Sequence, residues 1–554
     1  MLVLLLIAAA CVSGGPDPGF QGDSHGGQDS LETVPPDPAD PDGLFSPPGG
    51  TFVDAIAVSL ALEAGEQAWY TTDGSVPTDR SERYTGAIAV GDGLELRVLV
   101  RDADGAEVLH DKSYVRLEGS MAGFSSNLPL LVVLSNGDLH DAASQYIPVS
   151  FQVHDVGEDG RTALLGAASV SSRAAVKERG SSTAGEPKHS YALELREDYS
   201  DDDDREALLG MPADSDWVLY APLDYDRSLI RDALAFRLSN DLGRYAPRTR
   251  FVEVFCTEAG KAVREHSYKG VYVLMERVKI AADRVDITQL GPDDRSEPEV
   301  TGGYLFKLDR PGDSETGFEA GTAGGAISYE FPFVNVDPEE AVIQREQDAY
   351  LRSTLDDVAD ALTAPDHAHD GVPYGDLLDV DAWVDHHILN MYAKNPDALR
   401  LSAYMYKDRE GRIVAGPLWD LDRSMGCTDD DRSSDPTAWD ATDVTTDTTA
   451  MFTYGLYGPL FDDPAFTIAY WARFAGLLDD TLSDEHVGAV IDEMAGGLGE
   501  AAARNYARWP HYPPAEGGFD AEIGALKAWT TARHAWIAAC IDDHPADPRS
   551  CQGG

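Results

Sequence analysis

The residues of this chain with the clearest chemical potential lie in one short window. Asn395-Pro396-Asp397 stands just past a helical stretch, and Trp419-Asp420-Leu421-Asp422 follows two short extended stretches. Between them Ser402, Tyr404 and Tyr406 alternate in the period-2 pattern of a strand, Asp408-Arg409-Glu410-Gly411 has turn chemistry, and Arg412 to Trp419 reads as a second strand. Two strands so closely connected pair as a hairpin, and arms of about seven residues bring Asp397, Ser402 and Asp420 to its open end. An aspartate before such a hairpin and another after it suit metal-assisted phosphoryl transfer. The first carboxylate orients an acceptor hydroxyl, and the second holds magnesium against nucleotide phosphates. With 97 acidic residues in the chain, a pair of aspartates carries little weight alone, so the order of the elements is what counts.

Several elements must position these groups. The pattern predicts a helix capped by Asp381, with Val384, Ile388, Met391 and Tyr392 on one face, ending at Asn395-Pro396. A second helix starts at Asp226, carries Ile230, Leu234, Leu238 and Leu242 along one stripe, and stops at Gly243 and Pro247. Leu130 to Leu134, Pro148 to Val153, Phe251 to Phe255, Val271 to Met275 and Tyr304 to Asp309 read as strands, and 465–480, 484–508 and 520–541 as helices of an all-helical subdomain. Residues 127–542 are thus one large α+β region, followed by a tail at 543–554.

The chain has 554 residues and a formal net charge of -54. That field repels phosphate backbones, so no nucleic acid is expected as a partner. An apolar fraction of 43% suffices for ordinary cores. MLVLLLIAAA is too short to span a bilayer and reads as a signal-peptide core. Ala8-Ala9-Ala10-Cys11 resembles a bacterial lipobox, so residues 1–11 predict export, with a lipid anchor to the membrane through Cys11. Residues 12–46, rich in Gly, Pro and Asp, read as a disordered tether. Of the other cysteines, Cys540 with Cys551 is the preferred disulfide; Cys256 and Cys427 are either a second pair or two buried thiols.

Residues 47–117 carry short-strand patterning. Leu94, Leu96, Val98 and Val100 alternate with Glu95 and Arg97 as in a half-buried strand, and turn signals imply about five strands in a small β-sandwich. AWYTTDGSVPT at 68–78, with Tyr84-Thr85-Gly86, resembles the C-terminal β module of chitobiases and β-hexosaminidases. It reads as a spacer, or as a sugar binder through Trp69 and Tyr70.

The larger region resembles the CotH spore-coat kinases. The matching segments are RGSST at 179–183, PKHSYALEL at 187–195, DRSLIRDALAFRLSNDLG at 226–243, GVYVLMERV at 270–278, GGYLFKLD at 302–309, NPD at 395–397 and PLWDLDRSMG at 417–426. The resemblance implies an α+β fold: the small β-sandwich followed by an atypical protein-kinase-like domain with a helical C-terminal subdomain. It implies ATP with magnesium or manganese as cofactors, and a protein substrate with a Ser or Thr acceptor. Asp397 corresponds to the catalytic aspartate, and Asp420, helped by Asp422, to the metal ligand. Protein kinases place an asparagine five residues after the catalytic aspartate to hold a second magnesium; here that position is Ser402, a weaker ligand. Arg179, Gly180 and Ser181, with Gly185, would cover the phosphates, and Lys188 would contact them, with Lys307 its rival. Arg231 or Arg237 is expected to pair with a site carboxylate, Glu276 to orient a lysine or form an ion pair, and Trp419 to be core. The acidic runs 201–204 and 429–431 read as solvated loops. A non-catalytic surface adhesin on the same fold is the alternative, and a glycosidase with paired carboxylates a third reading.

Overall fold

The computed structural model describes residues 43–551 apart from 144, 181–182, 184, 198–201, 313–314, 440–448 and 545–546. The leader, Cys11, most of the tether, Ser181 and Asp201 lie outside the described residues. The chain forms two compact units, one reaching Ala221 and including Arg250–Met275, the other made of Pro222–Thr249 and everything from Glu276 onward.

In the first unit, seven strands rather than about five lie between Gly50 and Arg116. A three-stranded sheet (Phe45–Ser46, Ile56–Leu60, Ile88–Val90) and a larger one share a core that includes Phe52, Val58, Leu96, Val98 and Tyr114. The Leu94–Arg101 strand is buried on both faces, not on one as its alternation predicts. Its polar face is covered because Glu95 accepts hydrogen bonds from Asn136 at 2.6 Å and pairs with Arg173 at 3.3 Å, while Arg97 donates to the Gly74 carbonyl. Trp69 is buried with Leu99 and Leu109 under the Arg101 guanidinium, 4.7 Å from its ring, so it is closed to a stacking sugar.

The same unit contains a closed barrel of seven strands: Leu130–Ser135, Ile147–His154, Val170–Arg179, Ser190–Arg196, Asp216–Tyr220, Tyr268–Glu276 and Thr249–Glu258, in that order round the barrel. The run LLVVLS at 130–135 is buried throughout, as expected for a strand covered on both faces. Barrel and sandwich are knitted together. Gly166–Ala167 adds to the Gly50–Phe52 edge, and Gln152 donates to the Ser113 carbonyl at 2.7 Å.

The second unit holds the Arg231–Asp241 helix, a four-stranded antiparallel sheet and a helical C-terminal part. The sheet order is Phe333–Asp337, Tyr304–Leu308, Ala403–Lys407, Ile413–Ala415. The 484–508 stretch is two helices, Asp484–Gly496 and Gly499–Arg508, and Pro464–Leu478 and Phe519–Asp543 complete the expected set. The Arg345–Thr363 helix was not anticipated, although its buried Leu351, Leu355, Val358 and Leu362 follow helical spacing. Cys540 and Cys551 form the expected disulfide, and Cys256 and Cys427 are buried free thiols. Among the described residues, no helix is long and apolar enough to cross a membrane.

Candidate active site

The helix that delivers Asp397 runs from Val380 to Ala393. Its cap is Asp379, whose carboxylate accepts from the Ala382 amide at 2.9 Å; Asp381 lies in the first turn instead. Lys394 ends the helix in the left-handed conformation and turns the chain into Asn395. The Asn395 side chain is buried and works in two directions: its Oδ1 accepts from the Asp397 amide at 3.2 Å, and its Nδ2 donates to the Asp420 carbonyl at 3.4 Å. One amide thereby ties the two aspartate loops together.

The hairpin forms as predicted but with shorter arms, Ala403–Lys407 and Ile413–Ala415. Pairing stops after the Gly416 amide reaches the Tyr404 carbonyl, because Pro417 has no N–H to continue the ladder. Its open end does bring Ser402 and Asp420 together: the Ser402 hydroxyl donates to Asp420 Oδ2 at 3.2 Å. Both residues have positive φ, 50° and 64°. For residues other than glycine this conformation costs of order 1 kcal/mol each and concentrates at functional sites.

Asp420 is exposed and Asp422 buried. Between them the Leu421 amide donates to Asp232 Oδ1 at 2.7 Å. Asp232 sits in the first turn of the Arg231–Asp241 helix and is 4% exposed. Burial, then the nearby charges of Asp422 and Asp420, push its carboxyl well above the usual carboxylate range. The sequence reading passed over Asp232 in favour of the arginines beside it. Trp419, expected in the core, is half-buried and packs against it, stacked 6.0 Å from Phe236 and edge-on to Tyr404.

The oxygen donors of Asp420 and Asp422 suit a hard cation, and the field around Asp232 is one that a cation would relieve. Among the described residues, no three Asp, Glu, His or Cys side chains converge into a group able to hold a metal by themselves.

The positive charge at Asp397 comes from arginine, where the sequence search had concentrated on lysine. Arg400, wholly buried, donates to Asp397 Oδ1 at 2.5 Å and spans to Glu330 at 3.1 Å. Arg432 donates to both Asp397 oxygens and to Asp430, and Asp430 also pairs with Arg423, whose guanidinium lies 3.8 Å over the Tyr225 ring. Asp430 is therefore not part of a solvated loop: its side chain is 7% exposed, and the two arginines hold its carboxyl low against the opposing effect of burial. The loop itself is anchored by Ser433, which accepts from the Cys427 amide and donates to the Arg423 carbonyl.

The other expected cations are engaged elsewhere. Lys188 is buried in the barrel unit, donates to the Val271 carbonyl and lies 4.7 Å over the Tyr272 ring. Arg179 ends a barrel strand opposite Ser190, and Gly180 follows at φ 110°, where an added Cβ would collide with the Thr183 hydroxyl. These three belong to the first unit, while Asp397, Ser402, Asp420 and Asp422 belong to the second. Lys307 pairs with Asp309 at 2.6 Å. Arg231 pairs with buried Asp226 and Arg237 with Asp241 and Glu493, so the partner of each differs from Asp397, Asp420 and Asp422. Glu276 forms an ion pair with Arg248.

A helix, an aspartate loop, a hairpin and a second aspartate loop, set in a mixed α+β chain, define a kinase-like protein. The family described as CotH kinase protein matches residues 176–537, and that described as Chitobiase/beta-hexosaminidase C-terminal domain matches residues 47–109. The chain belongs to the CotH kinase protein family and carries the chitobiase-type β module ahead of it. No curated protein matches the chain.

Proposed function

We propose that the chain is an exported CotH-type protein kinase that transfers the ATP γ-phosphate to a Ser or Thr hydroxyl of a cell-surface or exported protein, using magnesium or manganese. The observation that carries this reading is the junction of the two aspartate loops, where Ser402 meets Asp420 at 3.2 Å and Asn395 links the Asp397 amide to the Asp420 carbonyl. Asp420 and Asp422 would hold the cation, which when bound offsets charge on the phosphate oxygens. Asp397 accepts the hydrogen bond of the acceptor hydroxyl and takes its proton as the oxygen–phosphorus bond forms and the bond to ADP breaks. Arg400 and Arg432 fix the direction of that carboxylate. The apolar leader ending at Cys11 supports export and lipid anchoring, and the Cys540–Cys551 disulfide accords with an oxidising compartment.

Nucleotide binding tests the site. ATP with magnesium should raise the melting temperature of the wild-type chain and leave the Asp420→Ala variant unmoved. No shift in the wild type would favour the non-catalytic adhesin.

A further inference from the structure

The second unit holds a polar cavity of about 230 Å³, open to solvent, behind the hairpin and walled on one side by Val414 to Leu418. Arg244 and Arg284 line it, with Tyr245, Tyr406 and Asp286. Buried Asp385 accepts from Arg244 Nε at 2.8 Å and from Arg473 at 2.8 Å, and buried Glu276 serves Arg248 and, at 3.9 Å, Arg284. With Asp286, and with Asp379 whose charge also acts on Tyr406, four arginines face four acids, an even local balance in a chain whose net charge is -54. His386, also on the wall, is held neutral by burial, with a pKa of about 4.

Arg244 uses only Nε. Among the described residues its two outer nitrogens have no hydrogen-bond partner, and neither has the Tyr406 hydroxyl. An outward guanidinium fork is the geometry that takes an oxyanion through two parallel hydrogen bonds. A planar carboxylate presents the two parallel acceptors that such a fork takes. Leu389, Val414 and Leu418 supply an apolar wall for the body of the ligand.

We propose that this cavity is a binding site for a small organic carboxylate, gripped by the outer nitrogens of Arg244 and by the Tyr406 hydroxyl. Neither Asp397 nor Asp420 lines the cavity, and the proposal does not rest on phosphotransfer.

Thermal melts at constant ionic strength test it, with sodium benzoate as the probe against sodium chloride and inorganic phosphate. Benzoate should raise the melting temperature of the wild type saturably, by about 2–4 °C. Arg244→Gln should lose the shift. So should Val414→Trp, which fills the cavity without removing a charge, and Asp420→Ala should keep it. Chloride or phosphate reproducing the whole shift, or a shift that survives in folded Arg244→Gln and Val414→Trp, would overturn the assignment.

Discussion

Arg432 donates to both carboxylate oxygens of Asp397, at 3.0 and 3.3 Å, while its other contacts hold Asp430 at 2.6 Å. A guanidinium held from behind by a second carboxylate fixes the plane of the first, which a lysine ammonium cannot do. Arg432→Ala should therefore lower kcat for phosphotransfer by about 10- to 100-fold through misorientation of Asp397, with the KM for ATP little changed. Arg432→Lys should recover only part of the loss. Steady-state kinetics of the three proteins decide it; a faster Arg432→Ala enzyme would make this contact a brake instead.

Asp232 supports the metal loop by accepting from the Leu421 amide between Asp420 and Asp422. Removing such an outer partner typically costs 10- to 100-fold in metal affinity. Asp232→Ala should raise the magnesium concentration needed for half-maximal transfer by about that factor. Asp232→Asn, which can still accept from Leu421, should recover part of it. Equal magnesium dependence in all three proteins would remove Asp232 from the account.

The β module is built into its unit rather than strung beside it. Glu95 reaches Asn136 and Arg173, and a Cβ at Gly50 would sit 2.4 Å from the Gly166 carbonyl oxygen. A chain lacking residues 43–117 should aggregate or melt at least 5 °C lower, because Arg173 loses Glu95 and the Gln152 amide loses the Ser113 carbonyl. A soluble truncation with an unchanged melting temperature would restore the spacer reading.

Buried histidines make the fold acid-sensitive. His387 is bonded to the Tyr470 hydroxyl at 2.9 Å and the Met451 carbonyl at 3.0 Å, and burial lowers its pKa to about 3, that of His386 to about 4. Below the ordinary value of about 6.5 the unfolded chain takes up protons that these imidazoles refuse. Stability is therefore complete above about pH 6.5 and falls on acidification toward the folded pKa values, by up to roughly 1.4 kcal/mol per pH unit for each group. Urea titrations between pH 7.5 and 5 should show this slope, and His387→Gln should flatten it.

Much of the site was legible because local rules governed it. Turn chemistry at 408–411 and the alternation of Ser402, Tyr404 and Tyr406 were enough to place Ser402 against Asp420. What escaped depended on contacts distant in sequence. Asp232 reads as an ordinary polar residue of a helix until Leu421 packs on it, and Asp430 resembles any member of an acidic run until Arg423 and Arg432 close round it. The polar alternation of Glu95 and Arg97 misled for the same reason, since the covering residues Asn136, Arg173 and Gly74 lie tens of positions away. The Arg345–Thr363 helix was missed for a different reason: its apolar spacing is plain in the sequence and was passed over.

The central claim is that Asp397 serves phosphoryl transfer, and transfer of label from γ-labelled ATP to a Ser-rich acceptor tests it most directly. With magnesium, the wild-type chain should incorporate label, chelation should abolish incorporation, and Asp397→Ala should reduce it by about 10²-fold or more. Equal incorporation by wild type and Asp397→Ala, or none by the wild type with magnesium or manganese, would contradict it.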